Sequence, residues 1–205
     1  MLCGFLSGDG SVQDRYPHYE IDFYPDDKKV ALIYRGIFRD LYNKKLVIRK
    51  QRRYFGNCFS LRVKYKKAFM HLKSLTTFGR LRWRVPRFVL KEYALKKAWL
   101  RAFFDCEGYV NPNGKVIQIQ TVNKAGLKQV KSMLNSLDIN SNTYKYERKN
   151  KNWNTNYILC ITGNSIENFS SIVGFNHSRK SKMLKKLIFK RWDGRIWPMR
   201  RSRNV

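Results

Sequence analysis

Apolar positions along this chain change their period several times, and the changes run in the same order in each half. Residues 2–10 read LCGFLSGDG and residues 100–108 read LRAFFDCEG. Each begins with Leu, carries apolar residues at its fourth and fifth places, and ends on a carboxylate followed by Gly. Each predicts a helix. Downstream, IDFYPDDKKVALIYRGIFRDL (21–41) aligns without a gap on IQIQTVNKAGLKQVKSMLNSL (117–137). The start of this block alternates as a strand does, with Ile21 and Phe23 on one face and Ile117 and Ile119 in the second copy. The rest has helical spacing: Ile33, Ile37 and Leu41 in one copy, Leu127, Val130, Leu134 and Leu137 in the other. Asp26-Asp27 and Asn123 precede these helices and suit N-caps.

Two more strands follow in each half. LVIRKQRRYF and CFSLRVKYK are separated by Gly56-Asn57, a hairpin signal. NTYKYERK and NYILCIT are separated by a polar stretch containing Asn150 and Asn152. KKAFMHLKSL (66–75) and NSIENFSSIV (164–173) close the halves as helices. Phe69, Leu72, Leu75 and Phe78 match Ile166, Phe169, Ile172 and Phe175 at a constant offset of 97. Each half thus reads helix, two strands, helix, two strands, helix. The expected division is a first half at 1–86, a linker at 87–98 leading into the second motif helix, and a second half at 99–205 ending in a basic helix.

A duplicated α+β chain needs no chemistry, so the carboxylates matter. Asp9 and Glu107 stand 98 residues apart. Gly4 and Gly8 lie four apart on one helix face, as do Ala102 and Cys106. Small residues at that spacing let two helix backbones approach closely. Such a pairing brings the two helix ends, and so Asp9 and Glu107, together. Gly10 and Gly108 suit the position just past a helix end. Two adjacent carboxylates repel unless a proton or a cation sits between them. A hard divalent ion such as Mg²⁺ suits that place and the chemistry of phosphate esters.

Charge narrows the partner. The chain holds 43 Lys+Arg against 14 Asp+Glu in 205 residues, a formal net charge of +29, with 43% hydrophobic and 15% aromatic residues. It can bury a core, so it is not a disordered basic tail. A folded chain this basic points to nucleic acid. Charge alone does not separate an enzyme from a ribosomal or chromatin-type protein. No apolar run approaches the ~20 residues of a membrane helix. The N-terminus lacks the basic leader of a signal peptide. Cys3, Cys58, Cys106 and Cys160 form no C-x-x-C pair, which argues against zinc and fits a reducing cytoplasm. His18, His71 and His177 are scattered and read as surface or core residues.

The motifs LCGFLSGDG and LRAFFDCEG, with GDGSV and CEGYV around their ends and WRVP (Trp83 to Pro86) before the second, resemble those of single-chain LAGLIDADG homing endonucleases of the archaeal intron-encoded type. Ser7 stands where many members have Asp. The resemblance implies a pseudo-two-fold pair of αββαββα halves, with curved antiparallel sheets forming a DNA-binding saddle. It implies that the motif helices form the interface and that Asp9 and Glu107 are catalytic and bind Mg²⁺, with Mn²⁺ substituting. Gly8 and Cys106, just before the acids, are placed in the same metal site. Cleavage of both strands across the minor groove would leave short 3′ overhangs. Asp27-Lys28, Asn123-Lys124 and Lys180 match positions near the scissile phosphates, with Arg179 beside the last.

The strands supply a binding face. Phe59, Leu61 and Val63 are expected to face the helices, leaving Ser60, Arg62 and Lys64 outward. Arg49, Gln51 and Arg53 share a face of the neighbouring strand. In the second half Lys145, Glu147 and Lys149 alternate with Tyr144, Tyr146 and Arg148. The expected DNA contacts are Arg15, Arg49, Gln51, Arg53, Arg62, Lys64, Lys145, Lys149 and Arg179. The expected partner is a long, non-palindromic duplex bound by a protein monomer at the nucleoid in the cytoplasm, with no membrane. Two other functions fit the same chain: an RNA-binding intron maturase and a non-catalytic DNA-binding regulator.

Overall fold

The computed structural model describes residues 1–53, 56–147 and 154–193. The first half runs α1 (Leu2–Ser7), β1 (Gly10–Arg15), β2 (His18–Phe23), α2 (Lys28–Tyr42), β3 (Arg49–Arg53), β4 (Gly56–Lys64) and α3 (Lys66–Leu75). The second runs α4 (Tyr93–Glu107), β5 (Tyr109–Asn111), β6 (Val116–Thr121), α5 (Lys124–Asn135), β7 (Asn142–Tyr146), β8 (Asn156–Ile161) and α6 (Ser165–Ile172), followed by α7 (Ser178–Asp193). The two sheets have the same antiparallel order, β1-β2-β4-β3 and β5-β6-β8-β7. The α+β fold of two αββαββα halves is therefore the one expected. Helix α4 begins at Tyr93, inside the stretch read as linker.

The caps act as their residues dictate. The Asp27 carboxylate accepts from the Val30 N–H at 3.1 Å and starts α2, and the Asn123 side chain accepts from the Gly126 N–H at 3.0 Å and starts α5. Helix α5 buries Leu127, Val130, Leu134 and the following Leu137, as its spacing predicts. Helix α2 does not bury the expected stripe. It turns Val30, Ala31, Tyr34 and Phe38 inward, leaves Ile33 and Ile37 partly covered, and exposes Leu41. The aromatic rings decide this. Tyr34 stacks on Phe23 at 4.3 Å between ring centres, and Phe5 packs on both. Larger rings bury more apolar area, so they take the core side.

Register settles which residues share a sheet face, because paired residues point the same way and neighbours alternate. Ile21, Phe23 and Leu61 in one sheet, and Val110, Ile117, Ile119, Leu159 and Ile161 in the other, are all buried beneath the helices. The opposite face of the first sheet carries Glu20 beside Lys64, Asp22 beside Arg62, and Arg49 beside Ser60. That of the second carries Tyr109, Gln118 and Cys160, with Gln120, Ile158 and Tyr144. Three expectations change here. Lys145 pairs with Tyr157, opposite Thr121, so it lies at the end of the helix-side face, where it makes an ion pair with Glu147. Ser60 is on the outer face but is buried. Gly56 and Asn57 are not the hairpin turn, since they already pair with Arg53 and Arg52. Among the described residues no helix is long and apolar enough to cross a membrane.

Candidate active site at the paired motif helices

Helices α1 and α4 touch along their small-residue faces. A Cβ added to Gly4 would lie 2.6 Å from the Trp99 carbonyl oxygen and 3.0 Å from the Ala102 Cβ. One added to Gly8 would lie 2.4 Å from the Cys106 Cβ. The Cys106 thiol donates to the Phe5 carbonyl at 3.7 Å across the same seam. Helix ends therefore meet as the four-residue spacing predicts. The glycines after the acids differ from expectation. Gly108 is extended (φ −70°, ψ 136°), and Gly10 is already in β1. Both serve close approach: an added Cβ would come within 2.4 Å of the Leu6 Cα at Gly10 and 2.5 Å of the Phe104 carbonyl at Gly108.

Asp9 and Glu107 emerge at this shared end. Burial pushes both carboxyls up. Glu107 is raised to about 7, by burial first and by the neighbouring Asp9 second. Asp26 adds to the repulsion on Asp9, while Lys180 opposes it on both acids. The Lys180 ammonium is itself buried and donates to the carbonyls of Asp105 (2.6 Å) and Cys106 (2.7 Å). It thus caps the negative end of α4 while facing the acids. Burial lowers its pKa, and Cys106, Asp26, Asp9 and Asp105 oppose that shift. The carbonyl of Cys106 is taken by this lysine, and burial drives its thiol well up.

A second layer fixes Lys180. Asp105, 1% exposed, accepts from the backbone N–H groups of Asn176 (2.8 Å) and His177 (2.9 Å) and from the Asn176 amide (2.9 Å). The buried His177 ring reaches back to the first half, where its Nε2 lies 2.9 Å from Asp26. Asp27 accepts from the Ser178 N–H at 3.1 Å, and Arg179 pairs with Asp26 at 3.6 Å. These bonds tie the start of α7 to the start of α2 beside Asp9. They hold Asp26 below the usual carboxylate range, through the His177 bond first.

Other predicted residues are placed differently. Asp27 is spent on capping α2 and holding α7. Asn123, 2% exposed, accepts from Arg84 and from the Gly126 N–H, and donates to the Trp83 carbonyl at 2.7 Å. It braces the Trp83-Arg84 segment against α5 and does not line the pocket described below. Lys124 sits over the Tyr157 ring, 5.9 Å from its centre, and Lys28 is exposed on the first turn of α2. In their place Gln120, Thr121 and Val122 line a pocket of about 350 Å³ with Glu107, Gly8, Gly10, Asn156 and Arg80. The sequence singles out none of Asp105, Asn176, Arg80 and Gln120, and offers Asp26 only as a cap and His177 only as a surface or core residue. The acid in FFDCEG was visible there, but its partners lie 71 and 72 residues away.

The first sheet's outer face is less positive than its Arg and Lys count suggests. Glu20 pairs with Arg15 (3.4 Å) and Lys64 (3.6 Å), and Asp22 with Arg62 (3.1 Å). Arg49 is exposed without such a partner among the described residues, and Gln51 is half-buried. The side chain of Arg53, and Lys149 entirely, lie outside the described residues.

Among the described residues no group of three or more His, Cys, Asp or Glu side chains could hold a metal ion. Two buried carboxylates, of which Asp9 raises the proton affinity of Glu107, nevertheless fit a hard cation of the Mg²⁺ kind. Such an ion takes one or two carboxylates and completes its shell with water and substrate phosphate oxygens.

Comparison with known proteins agrees with this geometry. Residues 94–174 match the LAGLIDADG-like domain family. The chain is 28% identical over 195 residues (92% of its length) to glutamine–fructose-6-phosphate aminotransferase of Methanocaldococcus jannaschii, but covers 17% of that protein. It is 26% identical, over 91% of its length and 19% of theirs, to the replication factor C small subunit of Thermococcus kodakarensis. The chain thus spans less than a fifth of these curated relatives. In structure it superimposes on the homing endonuclease I-DmoI in complex with DNA and Ca with a TM-score of 0.64, at 18% identity, covering 90% of this chain and 94% of that one. DUF199/WhiA from Thermatoga maritima gives 0.61 at 18% identity, over 93% and 58%. Residues 94–174 thus resemble a LAGLIDADG-like domain, and over 90% of its length the chain shares the pseudo-dimer fold of I-DmoI.

Proposed function

We propose that this protein is a site-specific endonuclease that cuts both strands of a DNA duplex with divalent metal bound by Asp9 and Glu107. The observation that carries this reading is the meeting of the two acids at the buried end of α1 and α4, where burial raises both carboxyls and Asp9 raises Glu107 further. A divalent ion there would activate water and neutralise the leaving oxygen. The chain's own residues do the positioning. Asp9 and Glu107 hold the hard-cation site, Lys180 balances their charge, and the Asp26–His177–Asp105 bonds keep Lys180 in place. The reading includes an archaeal-type, intron-encoded enzyme working on DNA in the cytoplasm. The aminotransferase and the replication factor share no activity by name, yet both contain a segment like this chain. That pattern supports a portable module independent of the proteins that contain it.

Cleavage is expected with Mg²⁺ or Mn²⁺. Ca²⁺ should allow binding with little cutting, because its looser coordination positions water poorly. A duplex-cleavage assay with each metal tests this, and rapid cutting in excess EDTA would overturn it. An intron maturase would instead bind structured intron RNA in preference to duplex DNA. A regulator on the same fold has no need of two facing acids, and both acids are present here.

The halves at 1–86 and 99–205 present unlike faces, so a protein monomer should cover a long, non-palindromic site. Phosphate neutralisation should dominate affinity, with log K falling against log salt by about 0.9 per phosphate contacted. Arg49 is the best placed of the expected first-half contacts, because Arg15, Arg62 and Lys64 are already paired. Ultracentrifugation and footprinting across a salt series test this. A protein dimer on a symmetric site, or affinity indifferent to salt, would contradict it.

A further inference from the structure

The two sides of the acid pair are built differently, although the chain repeats. At the 97-residue offset that matches Phe78 to Phe175, Trp83 occupies the place of Lys180 and Arg80 that of His177. On the Lys180 side, Asp105 ties down Asn176 and His177 and the space is closed. Its counterpart by motif position in the first half is Ser7, whose buried hydroxyl has no hydrogen-bond partner among the described residues. Ser7 is too short to anchor the matching turn, and the space beside it stays open as the pocket of about 350 Å³. That is room for on the order of ten waters. Trp83 cannot serve there as Lys180 does: it is buried against Phe103, 4.9 Å between ring centres, and carries no charge.

Arg80 supplies the missing cation. It lines this pocket together with Glu107, Gly8, Gln120 and Asn156. Its turn is pinned, because the Gly79 carbonyl accepts from the Arg82 N–H (2.9 Å) and the Trp83 N–H (3.0 Å). Gly79 has φ +103°, a conformation that favours glycine. Arg80 itself is exposed and makes no hydrogen bond or ion pair with any described residue. A guanidinium that lines one pocket with a buried carboxylate and polar side chains suits a phosphate that the carboxylates alone would repel.

We propose that this pocket binds the scissile phosphodiester of one DNA strand, with Arg80 holding the phosphate beside Glu107, while the Lys180 side serves the other strand. The assignment rests on the endonuclease reading above. In the hydrolysis, a water oxygen bonds to phosphorus and the P–O3′ bond breaks. One proton leaves the water and one reaches O3′; Arg80 changes no bond.

The test begins with the full chain and Mg²⁺ on a randomised duplex library, from which the cut sequence is recovered. That duplex is then labelled on either strand and given to wild type, Arg80→Ala and Arg80→Lys. Arg80→Ala should slow cutting of one strand by about 10²-fold and leave the other near wild type, so that nicked duplex accumulates. Arg80→Lys should restore part of the lost rate on that same strand. Loss of fold would slow both strands together, so equal slowing of both overturns the assignment, as does unchanged cutting of both. A wild type that selects no cut sequence removes the endonuclease reading itself and this assignment with it.

Discussion

Asp9→Asn and Glu107→Gln should each abolish double-strand cleavage, by at least about 10²–10³-fold, the scale for losing one group that stabilises developing charge. Duplex binding should survive. Each substitution removes a cation ligand on the proposed reading, but also a buried negative charge that burial already disfavours. Affinity for the phosphate backbone is therefore expected to hold or rise. Binding measured in Ca²⁺ beside cleavage measured in Mg²⁺ separates these effects. Full cleavage by either variant would end the shared-site reading, and loss of binding with loss of cutting would point to a folding defect instead.

Gly4→Leu should damage the molecule at a different level, by prising the motif helices apart. Even a Cβ at this position meets the Trp99 carbonyl at 2.6 Å, and a backbone oxygen in the middle of α4 has nowhere to go. Overpacking of this kind costs about 1–3 kcal/mol, and a four-carbon side chain against fixed backbone belongs at the upper end. Gly36→Ala is the matched control. Gly36 is also inside a helix, yet nothing lies within 4 Å of its added Cβ. That change should stabilise by about 0.5–1 kcal/mol, by lowering the entropy cost of ordering the chain. Denaturant melts of the two variants should move in opposite directions. A neutral Gly4→Leu would show that the helices do not pack through this face.

The sequence by itself determined the duplicated architecture, the helix pair and which two acids stand at its shared end. Those features are local or repeat at fixed spacing: small residues four apart, alternation in Ile117 and Ile119, a cap at Asn123, a carboxylate followed by Gly at the end of each motif. Tertiary structure decided which polar residues reach the acids. Lys180 comes from a helix that starts 71 residues after Glu107, and it was chosen from the sequence only through a family resemblance. Asp105 acquired its role from Asn176 and His177, and His177 from Asp26, 151 residues earlier. No periodicity encodes such pairs, because they join residues far apart in sequence, within the second half for Asp105 and across the halves for His177 and Asp26. Two further placements were decided by tertiary structure. Asn123 satisfied its buried hydrogen bonds with Trp83 and Arg84, as a buried polar group must. Lys145 fell on the helix-side face because strand register, not charge, sets direction. Open space beside Ser7, and with it the setting of Arg80, is visible only in the tertiary structure, because it depends on how distant segments pack around the helix pair.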